Sequence, residues 1–156
     1  MQGFSKKFNS ILVETYHNML LTEETKRKYS HAGLTFRDRN TVSFLMKFPD
    51  GRKISDVADY LKISRPSATV LVKKLEKHGL VERTIPPENE RSTIVKCTRK
   101  GRLFSMYQQR YRQRLAEQIS DGLTEEEKEA LYKGFCKLNE FFVDSINESK
   151  KIHNKK

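Results

Sequence analysis

Apolar residues recur at helical spacing over most of the chain. Phe4, Phe8, Ile11, Leu12, Thr15 and Met19 keep a period near 3.6 and predict a first long helix over residues 3 to 28. Gly33, within "HAGLTFRD", interrupts it, and Thr35 stands as N-cap of a second helix that reaches Phe48. "PDG" at 49 to 51 signals a turn. Ser55 is then expected to cap a short helix, "SDVADYL", whose Val57, Ala58 and Leu61 point one way. Only "KIS" separates it from the next helix, where Ser64 is the N-cap and Pro66 lies in the first turn, a position at which its missing N–H costs little.

That next helix, Ser64 to Lys77, has two unlike faces. Ala68, Leu71, Val72 and Leu75 recur at i, i+3, i+4 and i+7 and form one narrow apolar stripe. Arg65, Ser67, Thr69, Val70, Lys73 and Lys74 occupy the rest. Two short helices joined by so tight a turn make a helix-turn-helix, whose second member is the one that enters a DNA major groove. After Gly79 stops it, "LVERTI" and "STIVKCT" carry β-branched residues around the turn-forming, charged "PPENER". This pattern predicts a β-hairpin wing.

The chain then returns to helix. Thr98 caps a long helix to about Ile119, "DG" at 121 to 122 ends it, and "TEEE" at 124 to 127 is a capping box for the last one. Leu131, Phe135, Leu138, Phe142 and Ile146 form a seam along that last helix. The expected fold is mainly α with a small β-hairpin wing, a single domain over 1–156. Its parts are terminal helices at about 1–30 and 103–148, a winged helix-turn-helix at about 35–100 and a basic tail at 149–156. The small central unit cannot cover both terminal seams, so a homodimer is expected; an intramolecular three-helix pack is the alternative.

Charge narrows the partners. Lys and Arg number 31 against 20 Asp and Glu, giving a net charge of +11 and a pI near 9.7. This balance suits a polyanion, although charge alone does not separate DNA from RNA, an acidic protein or anionic lipid. No apolar run approaches the roughly 18 residues of a membrane span, and the amphipathic N-terminus lacks a signal peptide's apolar core and cleavage site. A cytoplasmic protein is expected. The two cysteines, Cys97 and Cys136, are too far apart for a disulfide framework or zinc finger and read as buried and inert. His17, His31, His78 and His153 have no metal-ligand spacing, and there is no P-loop, G-x-G-x-x-G, G-x-S-x-G or H-E-x-x-H. Neither metal, cofactor nor enzymatic activity is expected.

The chemistry of a recognition helix fits the polar face. Small residues at its start let the backbone approach base edges, where Ser64, Ser67 and Thr69 exchange hydrogen bonds and the methyls of Thr69 and Val70 touch thymine methyls. Arg65 suits guanine or a phosphate, and Lys73 and Lys74 suit phosphates. Each lysine has the simpler reading of a solvated face.

The order of elements, with "LTFRDRNTVSFLMK", "ISDVADYLKISRPSATVLVKKLEKHGLVER" and "IVKCTRKGR", resembles the MarR family of bacterial winged-helix regulators over nearly the whole chain. The most specific parts are "LEKHGLVER" and the T-x-x-G of Thr98 to Gly101. The resemblance implies a dimer built through both terminal helices that binds pseudo-palindromic double-stranded DNA, often as a repressor under the control of a small ligand. It also implies that Arg91 reaches into the minor groove. The family's wing commonly reads Asp-Arg-Arg, where this chain has Asn89, Glu90 and Arg91, with Glu88 nearby. That departure weakens the wing's attraction to phosphate.

"FNSILVETYHNMLLTEET" and "TRKGRLFSMYQQRYRQRLAEQISDGLTEEE" further resemble the branch that represses fatty-acid synthesis in Gram-positive bacteria. That resemblance implies an acyl chain on acyl carrier protein as corepressor, with Arg110, Arg112 and Arg114 facing the acidic carrier. Peroxide-sensing members use a cysteine in the first helix, and this chain has none there. The rival expectations are a non-specific or architectural nucleic-acid binder, for which +11 and the tail "SKKIHNKK" suffice, and a protein-binding module on the same fold.

Overall fold

The structure, a computed structural model, describes residues 2–29, 33–86 and 92–153. Its elements run α1 (Gln2–Tyr29), α2 (Phe36–Leu45), β1 (Arg52–Lys53), α3 (Ile54–Leu61), α4 (Arg65–Lys77), β2 (Val81–Thr84), β3 (Ile94–Cys97), α5 (Arg99–Ser120) and α6 (Glu125–His153). The chain divides into two compact units, residues 1–110 and 111–156.

The core of the first unit lies among α2, α3, α4 and the sheet. Val42, Leu45, Val57, Ala58, Ala68, Val72, Leu75, Leu80, Val81 and Val95 are buried there. The expected stripe of α4 is part of this core, with Leu71 at its margin. Local chemistry sets the helix ends. Thr35 caps α2 in a capping box: its hydroxyl accepts from Asp38 N at 3.2 Å, and the Asp38 carboxylate accepts from Thr35 N at 2.7 Å. Lys62 takes a left-handed conformation (φ 55°), which turns the chain sharply from α3 toward α4.

Three expectations need correction. First, α2 ends at Leu45 rather than Phe48, because the backbone tightens to Lys47 N–Phe44 O and Phe48 N–Leu45 O bonds; Pro49 also disfavours a helical Phe48. Second, Ser55 lies inside α3, and Lys53 holds the cap position. Arg52 and Lys53 pair with Val95 and Ile94, so the chain arrives extended and the Asp56 carboxylate accepts from Lys53 N at 3.2 Å. Third, that pairing makes the sheet three-stranded and antiparallel, in the order β1-β3-β2, where a two-stranded hairpin is expected from the sequence. The hairpin itself is present, with Val81 opposite Cys97 and Thr84 opposite Ile94. Its tip, Glu88, Asn89, Glu90 and Arg91 included, lies outside the described residues.

The T-x-x-G motif has a steric basis. Thr98 Oγ1 accepts from Gly101 N at 3.0 Å and donates to Gly79 O at 2.7 Å, so one hydroxyl caps α5 and bonds the loop after α4. A Cβ on Gly101 would lie 2.0 Å from the Leu80 carbonyl oxygen and 2.8 Å from Cys97 Sγ. Only glycine allows that approach. Cys97 is buried, and burial pushes its thiol pKa up despite the opposing Arg102 charge. Such a thiol is a poor nucleophile.

An aromatic ladder braces the helix-turn-helix. Phe44 stacks on Tyr60 at 4.1 Å between ring centroids, Phe48 meets Phe44 edge-on at 5.1 Å, and the Arg52 guanidinium lies 3.8 Å over Phe48. In the same unit, Ser105 of α5 donates to Ser43 Oγ of α2 at 3.1 Å.

The long helices differ from this core. On α1, Phe4 (74% exposed), Ile11, Tyr16 and Met19 face outward. In the second unit α6 starts from the expected capping box, with Thr124 N donating to Glu127 Oε2 at 2.8 Å. There Phe135, Phe142 and Ile146 of the seam are exposed, while Leu131 and Leu138 are half-buried. Cys136 is half-buried, and its bond with Tyr132 raises the pKa of that phenol. No helix among the described residues is long and apolar enough to cross a membrane.

Candidate nucleic-acid interface

α4 presents its polar face from a capped start. Ser64 Oγ accepts from Ser67 N at 3.3 Å and lies 2.8 Å from Ser67 Oγ, so both hydroxyls are engaged in the cap while remaining exposed. Arg65 and Pro66 follow, and the first turn holds no acidic residue. The positive end of the helix dipole and the Arg65 guanidinium therefore add at one place, a combination that favours an anion. Thr69 donates its hydroxyl to Arg65 O at 3.0 Å, keeping its lone pairs and methyl for a ligand. Val70 is 68% exposed. An apolar side chain so placed on a capped, well-packed helix suits contact with another apolar group such as a thymine methyl.

Beside this face is an open groove of about 370 Å³ between the start of α4 and the sheet, lined by Lys53, Arg65, Pro66, Thr69, Arg83 and Thr93 among others. Three cations, Lys53, Arg65 and Arg83, and three hydroxyls, Thr69, Ser92 and Thr93, around one concavity favour an anion there. Lys53 and Arg83 were not among the residues singled out from the sequence. Arg83 had a legible signal as the last residue of "LEKHGLVER", whereas Lys53 reaches the groove only because β1 exists. Arg83 also bonds Glu76 Oε2, through Nε at 2.8 Å and Nη2 at 2.7 Å. That hydrogen bond holds the Glu76 carboxyl below its usual range.

The structure thus places Ser64, Arg65, Ser67, Thr69, Val70 and Lys73 on one exposed or half-exposed face of α4. Lys74 is engaged elsewhere: its ammonium meets the Asp38 carboxylate at 2.5 Å and donates to Gly33 O at 3.3 Å. Arg91 lies outside the described residues. Arg110, Arg112 and Arg114 are exposed on α5. Among the described residues, no group of three or more His, Cys, Asp and Glu side chains is placed to hold a metal ion.

Comparison with known proteins bears on this geometry. The MarR family model matches residues 32–92, which span α2, the helix-turn-helix and β2 and stop short of β3. The HTH-type transcriptional regulator YfiV of Bacillus subtilis (strain 168), itself uncharacterized, is 32% identical over 97 residues. The match takes in 62% of this chain, which spans only 60% of that relative's length. FabT of Streptococcus pneumoniae, solved in complex with DNA, superposes with a TM-score of 0.76 at 27% identity, over 89% of this chain and 97% of its own. MepR, a transcription regulator of the Staphylococcus aureus multidrug efflux pump MepA, gives a TM-score of 0.66 at 18% identity and covers 86% of this chain and 98% of its own. MepR attests the fold alone. With the capped α4, the three-stranded sheet and the T-x-x-G junction in place, residues 32–92 carry the winged helix-turn-helix of the MarR family, and most of the chain is similar in fold to solved transcriptional regulators of that kind.

Proposed function

We propose that this protein is a homodimeric, sequence-specific repressor that binds pseudo-palindromic operators. The observation that carries the reading is the polar face of α4 beside the cation-lined groove. In this mechanism α4 lies in a major groove, where Arg65, Ser67, Thr69 and Val70 read base edges. Lys53, Lys73 and Arg83 hold backbone phosphates on either side and fix the register without reading sequence. Arg91, at the wing tip, takes the adjacent minor groove, and two protomers place their recognition helices about 34 Å apart, one helical turn. The exposed apolar faces of α1 and α6 support the dimer, and the likeness to a DNA-bound FabT supports the partner.

The finer reading is a repressor of fatty-acid synthesis whose corepressor is an acylated carrier protein, with Arg110, Arg112 and Arg114 meeting the acidic carrier. The likeness to FabT and the sequence of α1 and α5 favour it. A coupling of about 1 to 3 kcal/mol would change DNA affinity roughly 5- to 150-fold.

Selection from a random duplex library at physiological salt tests both. A repressor enriches a pseudo-palindrome with half-sites one turn apart, and acylated carrier protein tightens binding to it. Equal and steeply salt-dependent binding to every duplex would instead identify an architectural binder.

A further inference from the structure

Asp38 is buried at the first turn of α2, and one of its oxygens gathers three donors. Thr35 N donates to it at 2.7 Å, Thr35 Oγ1 at 2.9 Å and Lys74 Nζ at 2.5 Å. The Lys74 ammonium bonds Gly33 O as well, so the last turn of α4 is fastened to both the start of α2 and the segment before it. The next residue, Arg39, reaches the other way: Nη1 donates to Leu34 O at 2.8 Å, and Nη2 pairs with Glu23 of α1. Two consecutive residues thus fasten α4 and α1 to one helical turn.

We propose that this turn is a tether that positions the recognition helix, with Lys74 and Asp38 acting as positioning residues and Arg39 and Glu23 linking them to α1. Lys74 is then not a phosphate contact. If its ammonium left for DNA, it would strand a buried carboxylate without a cation, whereas a lysine that serves phosphate starts from a solvated state. Because α1 carries an apolar face open to a partner, the tether also gives any displacement of α1 a direct path to the DNA-reading surface. The inference rests on the DNA-binding reading and deepens it.

The test measures affinity for the selected operator and for an unrelated duplex as a function of salt, in Lys74→Met, Lys74→Arg, Asp38→Asn and Glu23→Gln proteins whose helical circular dichroism matches the parent. Asn at position 38 still accepts from Thr35 and so preserves the cap while removing the charge. For Lys74→Met, operator affinity is expected to fall about tenfold or more, with an unchanged salt slope and unchanged binding to the unrelated duplex. Lys74→Arg, which keeps the cation, restores most of the loss. Asp38→Asn loses operator affinity similarly but releases Lys74, so its salt slope and its binding to the unrelated duplex increase. Adding Lys74→Met to Asp38→Asn produces no further operator loss. Glu23→Gln weakens operator binding a few-fold at constant slope.

A salt slope that falls by about one in Lys74→Met, with equal losses on both duplexes, would overturn the tether and make Lys74 a phosphate contact. Unchanged operator affinity in Lys74→Met and Asp38→Asn would overturn it as well. Amide hydrogen exchange provides an arm that needs no DNA: in Asp38→Asn the α4 amides should exchange faster while β2 and β3 keep their protection. Unchanged exchange in α4 counts against the tether even if the parent protein selects no operator, an outcome that would itself count against the sequence-specific reading.

Discussion

In α4, Ala68, Leu71, Val72 and Leu75 are spaced by helical repeats and all are buried within one chain; in α6, Phe135, Phe142 and Ile146 follow the same kind of spacing and remain more than half exposed. The two stripes look alike in sequence. They differ in what the rest of the chain brings to them: α4 receives α3, β2 and a compact set of aliphatic residues, whereas large aromatics along α6 are left facing outward. Helical periodicity identifies a face that needs cover and leaves open whether the cover is the same chain. Exposed apolar residues gathered along one helix suit an interaction surface, so one stripe reports folding and the other is left for the proposed dimer.

The largest expected effect sharpens the folding side. Gly101→Ala puts a methyl 2.0 Å from the Leu80 carbonyl oxygen and 2.8 Å from Cys97 Sγ, and the first of these is backbone, which moves only at a cost. A loss of about 3 kcal/mol or more is expected, at the upper end for a single substitution, read from the midpoint of denaturant unfolding. A change within about 0.5 kcal/mol would mean that α5 can slide away from the sheet, and that the junction is looser than its geometry implies.

The assembly side breaks differently. Phe135→Glu with Phe142→Glu should leave the winged core folded, because neither side chain is buried in it, and should turn dimers into monomers in analytical ultracentrifugation. Operator affinity should then fall about 10²-fold or more as the two half-sites cease to be linked. Monomers that retain full affinity would detach DNA binding from dimer formation and remove the reason for the exposed faces.

The same contrast explains how much was legible in the sequence. Caps, breakers and apolar periods act over a few residues, so Thr35, Ser64, Gly79 and Thr98 mark their helix ends and the helix-turn-helix follows from them. β1 has two residues, too few for any alternation to show, and exists because β3 pairs with it and Thr93 O accepts from Ile54 N just beyond it. Ser55 had the right chemistry for a cap one register away from where that pairing delivers the chain. Most of the candidate DNA-reading residues follow from one helical face, but Lys53 and Arg83 depend on the sheet and Lys74 on Asp38, 36 positions away in the chain. Thr35-x-x-Asp38 was readable as a capping box; that its carboxylate is buried beneath another helix was not.

Ser64 offers a smaller effect that separates cap from contact. Ser64→Ala loses the acceptor for Ser67 N, for a cost of about 1 kcal/mol in thermal or denaturant unfolding. Ser64→Asp keeps an acceptor and favours the helix dipole, so stability should be retained. It also adds a negative charge beside the proposed phosphate path, so DNA affinity should fall in Ser64→Asp while stability does not. Parallel behaviour of the two variants in both measurements would mean that Ser64 acts on the helix alone.

The smallest expected effect concerns pH and the Glu76–Arg83 pair, which joins α4 to β2 inside the folding half. Hydrogen bonding to Arg83 lowers the Glu76 pKa from its ordinary 4.5. A lowered carboxylate pKa contributes stability that is fully present above the ordinary value and is lost as pH falls through the lowered one. The stability difference between the parent and Glu76→Gln should therefore be flat from pH 6 to 8 and shrink only in acid. Both side chains are about one-third exposed, so the difference should stay under about 1 kcal/mol even where it is complete. DNA binding should move the other way at neutral pH: with Glu76 uncharged, Arg83 is released toward the groove, and affinity for any duplex should rise with a steeper salt dependence. A gap in stability that persists undiminished well below the carboxylate range would show that Glu76→Gln acts through packing, and an unchanged salt slope would remove Arg83 from the phosphate-binding set.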